Sequence, residues 1–332
     1  MMTNMRPWIT LLMLALVLAA SCTDSIPSDP DEGNWVEKSD FEGAIRSGAV
    51  AFSINGLGFV GTGYDGDDRL SDFWQYEPER DAWRRVSDFP GVARSGAVAF
   101  VIDGKGYVGS GYDGSNELSD FWSYDPLTDQ WQQVADLTGP ARHSAVAFGL
   151  DGKGYIGTGF DGDNDLKDFW EYDPATDQWT QRTSVGGSKR LGAFSFVVEG
   201  TAYVGGGIHN DLYEEDLWRY DAATDLWEEM NELTDDDTGD DELLRAYGVA
   251  FAANGKAYLS TGSGNGTLDD CWEYDPVTDS WLEVTGFEGR GREGATGFAI
   301  NDLGYVVTGR NGTSRFDDIW HFNPLEAYEE DD

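Results

Sequence analysis

Short hydrophobic runs, each broken by Gly, Asp or Pro, succeed one another from residue 35 to residue 324, and every run reads as strand. The stretch 95–134 shows the pattern. Residues 95–102 (Ser-Gly-Ala-Val-Ala-Phe-Val-Ile) are apolar enough to lie deep as a first strand. Asp103-Gly104 is a tight-turn pair, and a Gly-rich second strand covers 106–112. A loop over 113–120 leads to a third strand, 121–124 (Phe-Trp-Ser-Tyr), in which bulk alternates. Asp125-Pro126 opens a turn where the Pro φ of about −65° suits the backbone. A fourth strand covers 131–134.

The unit repeats. Trp stands at 74, 122, 170, 218, 272 and 320, in steps of 48, 48, 48, 54 and 48 residues. A second set stands at 35, 83, 131, 179, 227 and 281, in steps of 48, 48, 48, 48 and 54. Of the 13 Trp, only Trp8 lies outside the two ladders. Four short antiparallel strands per repeat, six times over, predict an all-β fold, a six-bladed β-propeller. Trp35 has no third-strand partner before it and Trp320 has no fourth strand after it. The strand around Trp35 is therefore expected to complete the sixth blade, closing the ring and removing two sheet edges. The second-strand Gly residues are expected to let inner strands crowd towards the axis.

Residues 1–21 carry one basic residue, Arg6, and then an apolar run too short to span a bilayer. Leu18-Ala19-Ala20-Ser21-Cys22 resembles a bacterial lipobox, with Ala19 in a place usually held by Leu, which makes Cys22 the expected lipidation site. The acidic residues after Cys22 resemble the tethers of surface-exported lipoproteins in Bacteroidota. The expected plan is a signal peptide over 1–21, an acidic flexible tether over 22–34, the propeller over 35–324 and an acidic tail over 325–332. The expected place is the cell envelope, lipid-anchored to the outer membrane and exposed at the surface, as a monomer.

Tyr-Asp-Pro-x-Thr-Asp-x-Trp at 124–131, 172–179 and 274–281 resembles the kelch repeat, as does Gly205-Gly206-Gly207 after Tyr203-Val204. Other units depart from the kelch Gly pair, reading Gly-Thr-Gly-Tyr-Asp-Gly at 61–66 and Gly-Ser-Gly-Tyr-Asp-Gly at 109–114. The resemblance implies kelch-type four-stranded blades and says little of function, which lives in sites grafted onto the fold. Distant similarity extends to the propellers of galactose oxidase and N-acetylneuraminate epimerase. Copper oxidation of the first kind is rejected, because His143, His209 and His321 stand in three different structural contexts and Cys271 reads as a small buried thiol.

Charge narrows the choice of partner. The chain carries 22 Lys+Arg against 62 Asp+Glu, a net −40, which excludes a nucleic-acid binder. Two Cys exclude a disulfide-stapled fold. Against this acidity the junction between the fourth strand and the next first strand carries an Arg in every unit: Arg46, Arg94, Arg142, Arg190, Arg245 and Arg292. Two readings stand. Each Arg ties blades together through carbonyls or a neighbouring carboxylate, or the six form a ring of guanidinium forks that binds a carboxylate or sulfate at the axial mouth.

Symmetry breaks on that same face. Tyr64, Tyr112 and Phe160 share one position in the first three units, where rings can stack on sugars, and Ile208, Ser263 and Arg310 take it later. His209 replaces the loop Asp of the first three units. An acidic insert over 234–242 lengthens one loop. Asp72, Asp120, Asp168, Asp216, Asp270 and Asp318, like Asp81, Asp129, Asp177, Asp225 and Asp279, read as turn carboxylates accepting backbone N–H groups. Calcium candidates are Asp65 and Asp67 in one loop and Asp161, Asp163 and Asp165 in another, without the full EF-hand pattern.

The expected function is a non-enzymatic, lipid-anchored module binding a protein or an acidic glycan through the Arg face. No catalytic residue is assigned, and no cofactor is expected except calcium as a possibility. Two other classes stay open: a carbohydrate-active enzyme of sialic-acid epimerase type, for which Arg142 beside His143 is the candidate pair, and a structural part of a surface assembly.

Overall fold

The innermost strand of each blade sorts large from small side chains across its pleat. In Val50–Ile54 the buried Val50, Phe52 and Ile54 face the next blade, packing with Val108 and Tyr124, while Ala51 turns to the previous blade and packs with Phe298 and Tyr305. The same sorting in every unit produces six hydrophobic clusters, each shared by two neighbouring blades. The core is thus a set of interblade layers.

A computed structural model describes residues 32–233 and 243–329. It is all-β, with no helix among the described residues. Six four-stranded antiparallel sheets are arranged as a six-bladed propeller. Blade one consists of Val50–Ile54, Leu57–Gly61, Phe73–Glu77 and Ala82–Val86. Blades two to five repeat that order. Blade six takes Thr296–Ile300, Leu303–Val307 and Ile319–Ala327 and borrows its outer strand, Glu32–Glu37, from the start of the described chain.

The closing strand fits as its Trp foretells. Trp35 is fully buried, pairs with Phe322 across the ladder, packs on Phe287 and donates its indole N–H to Thr285 O at 3.1 Å. Pairing begins at Glu32 opposite Ala327, so residues 32–34 and 325–327 belong to the sheet and not to the tether and tail assigned to them from composition. Backbone partners overrule a polar sequence here. The signal segment, Cys22 and the insert over 234–242 lie outside the described residues.

Two expectations need correction. The first strand of blade two begins at Val98 and not at 95, and the second ends at Gly109 and not at 112. Gly96 and Gly111 take left-handed φ values of 61° and 104°, which turn the chain out of the ladder. The second-strand Gly residues do not serve a close approach at the axis. A Cβ on Gly106 would stand 2.4 Å from the Phe52 ring, so the Gly makes room for an aromatic side chain of the preceding blade.

The second Asp ladder does what turn carboxylates were expected to do, and also bridges blades. Asp129 accepts the N–H of Ser87 at 2.9 Å from the blade before it and the Tyr124 hydroxyl at 2.8 Å. The first Asp ladder has a different partner, described next.

Candidate functional site

The six repeated Arg residues are fully buried and do not line the axial mouth. Arg94 shows the arrangement. Its guanidinium meets both carboxylate oxygens of Asp120, at 2.7 and 2.8 Å. It also donates to Val92 O at 2.8 Å and Ser110 O at 2.9 Å. Arg46, Arg142, Arg190, Arg245 and Arg292 repeat this with Asp72, Asp168, Asp216, Asp270 and Asp318. The same carboxylates accept the third-strand Trp indoles, as Asp120 does from Trp122 at 2.9 Å. Each guanidinium is fully buried and makes four hydrogen bonds to its own surroundings, two of them to one carboxylate, so the guanidinium ring is scaffold and the anion site expected of it is withdrawn. Burial alone would raise the Asp120 carboxyl, but the Arg94 fork outweighs it and leaves the group below the ordinary carboxylate range.

Two residues beyond each buried Arg the chain reaches the axis. There Gly48, Gly96, Ser144, Gly192, Tyr247 and Gly294 form a closed circle: each backbone N–H donates to the carbonyl of the residue one blade back, at 2.8 to 3.1 Å. The circle requires left-handed backbone, with φ between 53° and 66° at all six positions. Four blades use Gly. Ser144 and Tyr247 adopt the same conformation with a side chain, at a cost of about 1–2 kcal/mol each. Above the circle opens a cavity of about 390 Å³ lined by Tyr64, Tyr112, His143, Ser144, Tyr247 and Arg310 among others.

A second circuit runs round the rim. One residue of each loop between second and third strands makes contact with the next blade. Arg69 lies over the Tyr112 ring at 4.7 Å, and Arg315 lies over the Tyr64 ring at 4.7 Å. Glu117 stands 3.9 Å from His143 Nε2, and Asp165 accepts or shares a proton with His209 Nδ1 at 2.8 Å. Tyr213 donates to Gly264 O and Asn311 to Thr267. From blade six to blade three the side chains stack in the order Arg315, Tyr64, Arg69, Tyr112, His143, Phe160. Guanidinium and imidazole groups therefore occupy the aromatic faces that were expected to receive sugars.

Arg69 makes no salt bridge among the described residues, and its Nε is buried without a hydrogen-bond partner. Arg310, at the position of Tyr64 in its own blade, pairs with Glu293 at 2.9 Å and is 44% exposed. His143 donates or accepts through Nδ1 to Ser144 Oγ at 2.9 Å. Burial holds its pKa below the ordinary imidazole value, against the opposing pull of Glu117. Burial raises the Tyr247 phenol, against the opposing influence of Ser144.

The kelch motif matches at residues 93–138 and 154–186, that is, blade two and most of blade three. The chain is a six-bladed propeller in which two blades match the kelch motif. No curated protein matches its sequence. A solved structure titled "Structure of YjhT" superposes with a TM-score of 0.72 at 17% identity, covering 85% of this chain and 95% of that one. At that identity the likeness extends to fold alone.

In this propeller the expected site residues divide. Tyr64, Tyr112 and Arg310 line the mouth, and Phe160 supports it by packing on His143. His209 does not reach it. It faces a smaller cavity between blades three and four, held by Asp165 and Asn210. The calcium loops have other work. Asp65 and Asp161 each spend Oδ1 on two backbone N–H groups of their own loop, and Asp165 holds His209. Among the described residues no group of three or more His, Cys, Asp or Glu side chains is arranged for a metal. Ser144, Tyr247, Glu117, Arg69 and Arg315 were missed. The first two were legible as the only departures from Gly two residues after the repeated Arg.

Proposed function

We propose that this propeller is a lipid-anchored binding module of the cell envelope, and that its axial mouth receives an acidic glycan through a carboxylate or sulfate group. The observation that carries the ligand class is the Arg69 guanidinium, clamped between Tyr64 and Tyr112 with no salt bridge among the described residues and with a buried, unbonded Nε. In a chain of net charge −40, a cation that makes no direct salt bridge beside a cavity is suited to a small anion. Arg315 on the outer side of Tyr64 extends the cationic arc, while Arg310 at the wall is paired with Glu293. The acidity of the remaining surface disfavours long polyanions and leaves room for one charged group.

Calorimetric titration with a panel of neutral, carboxylated and sulfated oligosaccharides tests this reading. Charged members should bind and weaken as salt is raised. Arg69→Met, which keeps the aliphatic stem, should weaken them about tenfold or more, the loss of a charge-assisted hydrogen bond worth about 1.5–3 kcal/mol. Equal binding of neutral sugars, or an unchanged Kd in the Arg69 variant, would refute it. Release of the protein from membranes by Cys22→Ala would support the anchor.

A further inference from the structure

One corner of the mouth carries an arrangement that ligand binding does not call for. We infer that Ser144, His143 and Tyr247 form an acyl-transfer centre, in which Ser144 is the nucleophile of an ester hydrolase acting on substrates held in the axial mouth. Four observations converge. Ser144 Oγ lies 2.9 Å from His143 Nδ1, within reach for proton transfer. His143 Nε2 faces Glu117 Oε1 at 3.9 Å, and that carboxylate favours the tautomer with its proton on Nε2, which leaves the Nδ1 lone pair directed at the serine. Tyr247 lines the same cavity wall as Ser144, and its phenol, kept protonated by burial, is the group available to donate to an oxyanion formed there. Ser144 itself is held in the left-handed region at φ 53°, where four of the six blades have Gly, and a nucleophile on a strained turn is a recurrent catalytic device.

The chemistry balances with water as the only co-reactant. Ser144 Oγ attacks the ester carbonyl carbon while its proton passes to His143 Nδ1. The bond from that carbon to the alcohol oxygen breaks, and the alcohol leaves with the proton from His143. Water then attacks the acyl-serine by the same route, releasing the carboxylic acid and restoring Ser144. Ser144 and His143 are the catalytic residues, Tyr247 stabilises the tetrahedral oxyanion, and Glu117 is a positioning residue. Neutral imidazole is the form this requires, and burial maintains it.

The protein's other blades supply the variants. Ser144→Gly restores the residue found at Gly48, Gly96, Gly192 and Gly294, and His143→Ser restores that of Ser47 and Ser95, so both keep a backbone the fold already uses. The purified protein is incubated with a fluorophosphonate probe and digested for mass spectrometry, and p-nitrophenyl acetate hydrolysis is followed in parallel. Expected results are a phosphonyl adduct on Ser144, no adduct in Ser144→Gly, and hydrolysis reduced about 10²-fold or more in both variants. Glu117→Gln should lower kcat with KM unchanged, a split that loose packing would not give. Absence of the Ser144 adduct, or hydrolysis equal in wild type and Ser144→Gly, overturns the inference. Neither readout uses an acidic glycan, so its failure leaves the binding reading separately testable.

Discussion

Replacing Arg94 by Ala distinguishes a scaffold ring from a ligand ring. The substitution deletes a guanidinium that is fully buried, stacked 4.7 Å from the Phe89 centroid, and bonded to Val92 O, Ser110 O and both oxygens of Asp120. It leaves the buried Ser110 carbonyl and the part-buried Val92 carbonyl short of a donor, and takes both guanidinium bonds from the Asp120 carboxylate, which keeps the Trp122 indole. Breaking a buried ion pair from one side costs about 3–5 kcal/mol. The Asp120 side chain is 23% exposed, so water can solvate it once the Arg has gone, and the lower end, about 3 kcal/mol, applies. Asp120→Asn should cost more than Arg94→Ala, because it strands a cation with no access to water. The double variant Arg94→Ala/Asp120→Ala should cost less than the sum of the singles. Urea unfolding followed by tryptophan fluorescence gives these values, provided the m-value is unchanged. Ligand affinity in the folded Arg94→Ala protein should be unaltered. A loss below about 1 kcal/mol, the opposite ranking of the two single variants, or lost binding with intact stability would refute the reasoning.

Trp35→Ala should cost about 3–5 kcal/mol, measured in the same way, because the side chain is fully buried in the strand that closes the ring. Deleting Glu32–Glu37 should cost more still, since it exposes the edge of Ile319–Ala327. Acid should destabilise the fold as pH falls below 3.8, the ordinary Asp value. Asp72 and Asp120, although raised by burial, are held below it by their Arg partners, so their contribution is present above that value and lost on protonation. Alkali should act in the opposite sense. Burial pushes the Tyr305 phenol from 10.0 up to about 12, so its stabilisation is complete below pH 10 and drains away as pH rises towards 12, which a series of urea midpoints against pH would show. Ser144→Gly should leave stability unchanged or raise it by up to about 1 kcal/mol, as relief of left-handed strain is set against a more flexible unfolded chain.

The blade count, the closing strand and the Arg and Asp ladders were legible because repetition amplifies a weak local signal. The pairing of the two ladders was also present in the sequence. Arg94 and Asp120 are 26 residues apart, the offset recurs in five units, and Arg245 and Asp270 keep 25 through the irregular step. A fixed offset between opposite charges is evidence of a pair, and it favours the scaffold reading of the Arg ring before any coordinates. Arg69 and Arg315 could not be found this way. The rim residues of the six blades are Arg69, Glu117, Asp165, Tyr213, Thr267 and Arg315, six side chains of unlike chemistry with no period among them. Their meaning depends on which neighbour each reaches across the blade boundary, and only the closed ring brings those neighbours together.

That contrast bears on where function resides in a repeat protein. A residue copied into every blade is retained by a need that every blade shares, and here that need is the Arg–Asp fork, the Tyr–Asp bridge and the Phe over Gly contact. A residue that departs from the copy has no such support. The axial circle makes the argument quantitative, because its backbone bonds demand left-handed φ at every position and Gly meets that demand at least cost. Ser144 and Tyr247 together carry about 2–4 kcal/mol that the four Gly blades avoid. Neither is needed for the circle, which forms equally through Gly. Both residues line the same cavity, and Ser144 there hydrogen-bonds His143, the only His among the described residues that lines it. Strain that is local, avoidable and directed into one cavity is the physical signature expected of a site, and it singles out this wall of the mouth over the ring of buried Arg beneath it.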